Sequence, residues 1–252
     1  MEIKVMSFNI RMDTPHDGIN AFSKRYPRTL EVIDKEKPDV IGFQEVTDSM
    51  REILRKNLKG YTIVGCGRDW NYLGEGTLIA FREDDWEMIN YETIWLSETP
   101  HTPGTHFGGA HSGCPRILNS VLLKHHNSST PYTFISTHLD HEGGRDVEAK
   151  MLCDYMSKIP HPIILMGDMN AVPKDDEIAI LREFFEARGG EDCTHELGPT
   201  FHNYGRLDKD RSVKIDYIFA DKKASNAFIV EDIPVNGQYY SDHNAVCATI
   251  EI

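Results

Sequence analysis

The stretch ILMGDMNAVP occupies residues 164–173 and places an acidic residue at the end of an apolar run. We expect residues 162–168 to form a buried strand that ends at Asp168, with Asn170 two positions further on. Burying a charged side chain in a strand is costly unless the charge is paired or bound to a metal ion. A single Asp-x-Asn of this kind is typical of a capped strand end or a turn, so its meaning depends on whether the pattern recurs.

The pattern does recur, because other strand-like runs also carry polar residues inside or beside them. These residues are Asn9, Glu45, His138, Asp216 and the adjacent pair Asp242 and His243. The runs that contain or follow them cover residues 3–10, 39–45, 132–138, 213–220 and 245–252. Their number and their order along the chain favour a functional site over a series of unrelated turns.

Strand-like runs outnumber helical ones in this chain. Helical spacing of apolar residues appears at 26–37, at 50–58 after a capping box formed by Ser49 and Glu52, at 148–159 and at 178–185. The runs 77–81, 92–96 and 117–123 have no helix between them, which predicts antiparallel pairing. We therefore expect an α/β sandwich of two packed sheets with helices outside. No repeat or long linker divides residues 1–252, so we expect one domain.

Composition limits the classes of partner and location. The net charge of −13 repels duplex nucleic acid at long range, so we expect no stable duplex partner. The five cysteines form no CxxC pair, which argues against a disulfide framework or a zinc knuckle and indicates a reducing compartment. The sequence shows neither a signal-peptide pattern nor a long apolar run. We expect a cytoplasmic protein that does not contact membranes and is a monomer by default.

Six segments resemble those of the endonuclease/exonuclease/phosphatase superfamily. They are MSFNIR (6–11), DVIGFQEV (39–46), STHLDH (136–141), ILMGDMNAVP (164–173), KIDYIFA (214–220) and SDHNAV (241–246). They occur in the order found in that family. The resemblance implies a deoxyribonuclease I-like, four-layer α/β/β/α sandwich of two mixed β-sheets flanked by helices, with the site at one rim of the sheets.

The resemblance also implies a metal site. Glu45 resembles the family's main ligand for a divalent ion, Asn9 resembles the neighbour that orients the metal shell, and Asp242 is similar to a further acid of that shell. An oxygen-rich site of this kind suits Mg²⁺, with Mn²⁺ as an alternative.

Catalytic roles follow from the same resemblance. Asp168 looks like the residue that orients or deprotonates the attacking water, and Asn170 is similar to the donor that stabilises developing negative charge. His243 and Asp216 look like a histidine–carboxylate pair in which the acid favours the protonated ring. His138 stands where the family places a donor to a phosphate oxygen.

Two arginines outside these roles are candidates for substrate binding. Arg116 follows the loop at 101–115 and resembles a position of bacterial family members, where it would contact substrate phosphate. Arg145 follows two glycines and is equally open to that role or to a surface position. For Arg25 and Arg28, on the first helix, a structural or solvated role is favoured.

The branch of the family decides the substrate. The motifs at 38–46 and 137–139 look closest to the nocturnin and carbon-catabolite-repressor deadenylases. That similarity implies a phosphodiesterase acting as a 3′–5′ exonuclease on single-stranded RNA. Alternatives are a phosphatase on a small sugar or inositol phosphate, and a catalytically silent binding module on the same fold. A zinc site like that of metallo-β-lactamases is disfavoured, because Ser136 stands where that motif has its first histidine.

Overall fold

The protein is described by a computed structural model that covers residues 1–109, 111–208 and 210–252. Within this range the strands are β1 (Glu2–Asn9), β2 (Val40–Gln44), β3 (Tyr61–Val64), β4 (Ile79–Arg82), β5 (Trp86–Trp95), β6 (Ile117–His125), β7 (Pro131–His138), β8 (Ile163–Asp168), β9 (Glu191–Asp192), β10 (Asp216–Ala220), β11 (Ala224–Val230) and β12 (Ala245–Glu251). The helices are α1 (Phe22–Glu36), α2 (Asp48–Asn57), α3 (Arg145–Met156) and α4 (Asp176–Ala187), and a short 3₁₀ helix at Pro15–Asn20 precedes α1.

These strands form two six-stranded sheets. The first has the order β11-β12-β1-β2-β4-β3, and the second has the order β5-β6-β7-β8-β10-β9. Near the middle of the sheets, β1 pairs in parallel with β2 and β7 pairs in parallel with β8, whereas the flanking pairs are antiparallel. Both sheets are therefore mixed, and the carboxyl ends of each parallel pair lie at the same edge.

The two sheets face each other across an apolar layer. Val5 and Val40 of the first sheet share this layer with Phe134 and Met166 of the second. Gly42 permits the close approach of the sheets, since a Cβ atom at that position would lie 2.8 Å from Cβ of Met166. Any larger residue at 42 would push the two parallel pairs apart.

Helices cover the outer face of each sheet. On the first sheet, Ile33 of α1 and Leu54 of α2 pack in one cluster with Phe43. On the second sheet, Leu152 of α3 and Leu181 of α4 pack in another cluster that includes strand residues of β8 and β10. The expected four-layer α/β/β/α sandwich is confirmed.

Buried hydrogen bonds connect the sheets directly beneath one rim. The Ser136 hydroxyl donates to the Phe43 carbonyl at 3.1 Å, and Nε2 of Gln44 donates to Oγ of Ser136 at 3.2 Å. Polar contacts in a dry interior are strong and directional, so they fix the relative position of β2 and β7. The same bonds therefore fix the positions of the residues at the ends of these strands relative to one another.

Some local predictions were wrong. Ser49 is not the cap of α2: the helix begins at Asp48 with Thr47 as the preceding residue, and no side chain caps it. The run predicted from residue 213 becomes a strand only at Asp216, because Val213 instead forms an isolated bridge with Phe201. Strands β9 and β11 were not predicted. In the described ranges, no helix has both the length and the apolar character needed to cross a bilayer.

Candidate active site

Strand register brings the polar strand ends together at one rim of the sandwich. Parallel pairing sets Asn9 beside Gln44 and His138 beside Asp168. Antiparallel pairing of β10 with β8 sets Asp216 opposite Asp168. Directly beyond the strands lie the other predicted site residues, Glu45, Asn170, Asp242 and His243. The structure therefore brings together the eight residues assigned to metal binding and catalysis.

Asn9 joins the two sheets at this rim. Its buried Nδ2 donates to Oε1 of Glu45 at 3.0 Å and to Oδ2 of Asp168 at 2.9 Å. Its Oδ1 accepts from the backbone N–H of Arg11 at 2.9 Å. One amide thus holds a carboxylate from each sheet in a fixed relation, and both carboxylates keep an oxygen directed away from it.

Glu45 leaves strand β2 in a left-handed conformation, with φ of 62°. Its Oε2 accepts from the backbone N–H of Met12 at 3.0 Å and lies 3.5 Å from Nη1 of Arg11. Burial opposes ionisation here, but Arg11, the Met12 N–H and Asn9 outweigh it and hold the pKa of Glu45 below its ordinary value. Glu45 is therefore ionised at neutral pH, as a cation ligand must be.

His243 lies between two aspartates. Nδ1 of His243 is 2.9 Å from Oδ2 of Asp216, and Nε2 is 3.8 Å from Oδ2 of Asp168. Burial disfavours the imidazolium, but Asp216 through its charge and hydrogen bond, together with Asp168 and Asp242, raises the pKa of His243 to about 10. The ring is consequently a cation at neutral pH, with its Nε2–H on the side of Asp168.

The surroundings of Asp168 favour its neutral form, whereas those of His243 favour the charged form. Burial and the charge of Asp216 raise the pKa of Asp168 to about 7, although His243, the Asn170 N–H and Asn9 oppose the shift. A carboxylate with a pKa near 7 is matched to accepting a proton at neutral pH.

His138 and Asn170 form a second polar pair on the β7 side. Nδ2 of Asn170 contacts Nε2 of His138 at 2.9 Å and also donates to the Leu139 carbonyl at 2.9 Å. Burial, with the charges of Arg116 and Arg68 nearby, holds the pKa of His138 well below its usual range. His138 is therefore neutral, and its ring is oriented by Asn170 and by Oδ2 of Asp168, which lies 3.5 Å from the same Nε2. Donation by Asn170 to developing charge stays a prediction.

The rim holds more buried negative charge than positive charge. Its carboxylates are at most 9% exposed and belong to Glu45, Asp168, Asp216 and Asp242. The cations in contact with them are Arg11 and His243. Two negative charges are left unbalanced when all four acids are ionised, and one oxygen of Asp216 has no hydrogen-bond partner among the described residues. This oxygen-rich donor set fits a divalent cation.

Two groups of side chains could serve as metal ligands. Asp168, Asp216 and His243 bring ligand atoms within 4.8 Å of one another. An imidazolium has no lone pair for a metal, however, and the Asp216 hydrogen bond keeps His243 protonated. Glu45 and Asp242, which share Arg11 as a neighbour, are the better match for a hard cation. Burial raises the pKa of Asp242, and a bound cation would favour its ionised form again.

The rim opens into a cavity of about 460 Å³ whose walls carry three arginines, Arg11, Arg68 and Arg116. Nη2 of Arg116 is 2.9 Å from Nδ1 of His141, and its buried Nε faces Oδ2 of Asp140 at 3.8 Å, which is an ion pair but too long for a hydrogen bond. Nη2 of Arg68 donates to Oε1 of Glu75 at 2.8 Å. Arg116 therefore lines the cavity, and its contact with substrate phosphate stays a prediction.

Arg145 is not among the residues that line this cavity. Its Nε donates to Oε1 of Glu177 at 3.1 Å, which links α3 to α4. Arg25 is fully buried and structural, as favoured from the sequence.

Several cavity residues were not assigned from the sequence: Arg11, Arg68, Glu75, His141 and Asn203. Arg11 and His141 lie inside segments that resemble the family, so a closer reading of those motifs could have found them. The other three lie in loops whose sequences carry no periodic signal.

Comparison with known proteins agrees with the fold. A model described as "Endonuclease/Exonuclease/phosphatase family" matches residues 6–243. An endonuclease/exonuclease/phosphatase from Bacteroides vulgatus superposes with a TM-score of 0.93 at 27% identity, covering 100% of this chain and 99% of that one. A mannosyl-6-phosphatase from Bacteroides thetaiotaomicron superposes with a TM-score of 0.87 at 23% identity, covering 99% of this chain and 100% of that one. The human Nocturnin catalytic domain superposes with a TM-score of 0.72 at 20% identity, covering 99% of this chain and 94% of that one. At these identities the last two show likeness of fold alone.

Proposed function

The chain belongs to the endonuclease/exonuclease/phosphatase family, and from this we propose that it is a divalent-metal-dependent hydrolase of small phosphate esters. The observation that carries the proposal is the convergence of three buried carboxylates, an imidazolium and the guanidinium of Arg116 around one cavity. Phosphate esters are anions that resist attack, so their hydrolysis needs charge neutralisation, an oriented water and a proton donor.

Glu45 and Asp242 are the residues that would hold Mg²⁺ or Mn²⁺, with Asn9 keeping Glu45 in place. When bound, the ion supplies charge neutralisation and orientation of the phosphoryl group. Arg11 lies between the same two acids, 3.5 Å from Glu45 and 3.8 Å from Asp242, and balances part of their charge.

Asp168 accepts the proton of the attacking water in this proposal. Its pKa of about 7 suits the task, and Asn9 fixes the oxygen that His243 also faces. His243, kept protonated by Asp216, stabilises the negative charge that develops on the phosphoryl or leaving oxygen. The guanidinium of Arg116, which lines the same cavity, binds a phosphoryl oxygen in this proposal.

The charge of the protein favours a small ester as the substrate. The net charge of −13 acts on every phosphate of a polyanion, whereas a small ester presents a single phosphoryl group to local arginines. The mannosyl-6-phosphatase of similar fold is consistent with this choice. The 3′–5′ exonuclease implied by the motifs stays the second candidate, because the motif similarity to deadenylases favours it and diesters require the same rim. A monomer in the cytoplasm also stays a prediction.

The test measures phosphate release from a panel of sugar, inositol and nucleotide phosphates at increasing Mg²⁺. We expect Glu45→Gln to raise the Mg²⁺ concentration for half-maximal activity at least ~10-fold, as loss of a ligand does. Glu196→Gln, at a carboxylate 92% exposed, is the matched control and should change nothing. An unaltered Mg²⁺ dependence in Glu45→Gln would exclude the proposed ligand. Absence of release from every ester, with no cleavage of RNA, would favour the silent binding module.

A further inference from the structure

The segment that follows Phe201 has an unusual backbone beside the cavity. Asn203, Tyr204 and Gly205 are consecutive residues with φ of 49°, 55° and 69°. Glycine adopts this left-handed region freely and asparagine tolerates it, but a tyrosine there is uncommon. Such conformations persist only where the surroundings hold them, and they are concentrated at sites that bind or react.

Several hydrogen bonds hold this segment against the rim. The backbone N–H groups of His202 and Asn203 both donate to the carbonyl of Asp242, at 3.0 and 3.1 Å. The buried Tyr204 donates its hydroxyl to Oδ2 of Asp17 at 3.0 Å. Because Asp242 is itself part of the rim, the position of Asn203 is fixed relative to the reacting groups.

The side chain of Asn203 lines the cavity and is half-buried. Its carboxamide makes no hydrogen bond with any residue that the structure describes. Asn170 lines the same cavity but has already committed its amide group to His138 and to Leu139. Asn203 therefore presents a fixed amide, with a donor and an acceptor both available, to whatever enters the cavity.

The chemistry of this group indicates what it would bind. The arginines of the cavity suit the phosphoryl group, whereas a neutral amide suits a partner that both donates and accepts, such as a hydroxyl. Bases of nucleic acids usually stack on a free aromatic face. The aromatic ring at this wall belongs to Phe201, and it already packs on His243 with ring centroids 4.8 Å apart.

We infer that Asn203 is a specificity-determining residue that binds hydroxyl groups of the esterified alcohol. The preferred substrates are then phosphate esters of sugars or other polyols. This inference rests on the proposed function, because it requires the phosphoryl group to lie at the rim while the organic group extends towards Asn203.

The test compares the binding of glucose 6-phosphate with that of inorganic phosphate by calorimetry in the presence of Mg²⁺. Asp168→Asn protein is used throughout, so that the ester is not consumed. Asn203→Gly removes the amide but tolerates the positive φ. Asn236→Gly is the matched control, since Asn236 has φ of 53° and is exposed away from the cavity.

We expect Asn203→Gly to weaken glucose 6-phosphate binding about 3- to 10-fold, the loss typical of one or two hydrogen bonds. Binding of inorganic phosphate should be unaltered, and Asn236→Gly should alter neither ligand. Equal weakening of both ligands, no weakening of either, or failure of glucose 6-phosphate to bind more tightly than inorganic phosphate before the change would each overturn the inference.

Kinetics separate this inference from the proposed function. In the otherwise intact enzyme, Asn203→Gly should raise KM for glucose 6-phosphate. It should not change KM for 4-nitrophenyl phosphate, because the leaving group of that ester has no additional hydroxyl. If the intact enzyme releases no phosphate while the calorimetric difference persists, the proposed function fails and the assignment of Asn203 stands.

Discussion

Arg25 is the largest fully buried side chain among the described residues, and it connects helix α1 to the segments that form the rim. Its guanidinium donates to the carbonyls of Asn20 and Tyr240 at 2.6 Å, of Ile10 at 2.7 Å and of Arg11 at 3.0 Å. These segments lie next to Asn9 and the 241–243 motif, so the folding of the rim depends on a residue that does not line its cavity.

Replacing Arg25 with methionine keeps much of the volume and removes every donor. All four carbonyls lose a charged donor, but Tyr240 retains a bond from the Thr29 hydroxyl at 2.9 Å, so three carbonyls are left without such a replacement. Leaving a buried acceptor unsatisfied costs about 1–3 kcal/mol, and hydrogen bonds from a charged donor lie towards the upper part of that range. We therefore expect Arg25→Met to lower the free energy of unfolding by about 4 kcal/mol, a large part of the total for a typical domain.

Urea unfolding followed by circular dichroism measures this loss. With a slope of about 3 kcal/mol per molar urea, the midpoint should fall by more than ~1 M. Arg55→Met is the matched control, because Arg55 is half-exposed on α2 and its ion pair with Glu52 is exposed, so a loss below ~0.5 kcal/mol is expected. A midpoint for Arg25→Met within ~0.3 M of the unaltered protein would refute the reasoning, because the carbonyls would then have found other donors.

Three further predictions concern charge. Asp216→Asn should lower the pKa of His243 from about 10 by about 1 to 3, seen by NMR titration of the metal-free protein, and should reduce kcat at least ~10²-fold; an unaltered pKa would contradict the pairing. Burial raises the pKa of Glu148 to about 8, so its contribution to stability is present below its ordinary pKa and is lost as pH rises towards 8. Glu148→Gln should therefore gain about 3–5 kcal/mol relative to the unaltered protein between pH 5 and pH 9, and parallel urea midpoints across that range would exclude this. Mg²⁺ should raise Tm by relieving repulsion at the rim, and EDTA should reverse the rise; a Tm indifferent to both would oppose a metal site there.

Much of the fold could be predicted because the information is local. Apolar runs that end in an acid, such as residues 163–168, identify buried strands without reference to their neighbours. Family resemblance supplied the order of the layers. Strand β11 was missed because residues 224–227 are polar or small and partly exposed, so the run lacks an apolar signal at its start.

The site could be predicted where strand register decides it, and not where loops do. Asp216 meets Asp168 because two strands pair in one register. Asn203 reaches the cavity through a left-handed turn that no periodicity indicates. Arg145 was placed among the candidates for substrate binding, but the side chain that decides its position is Glu177, which lies 32 residues further along the chain. Such long-range ion pairs leave no pattern in the sequence around either residue.

Hydrolysis in ¹⁸O-labelled water, followed by ³¹P NMR, examines directly whether this rim directs water to phosphorus. The substrate would be the ester of the panel that releases phosphate most rapidly, with Mg²⁺ present. We predict that the inorganic phosphate carries one ¹⁸O atom from solvent, that EDTA abolishes its formation, and that Asp168→Asn reduces the rate at least ~10²-fold. Label in the released alcohol instead of the phosphate, or an Asp168→Asn rate equal to that of the unaltered enzyme, would contradict the proposed site and its mechanism.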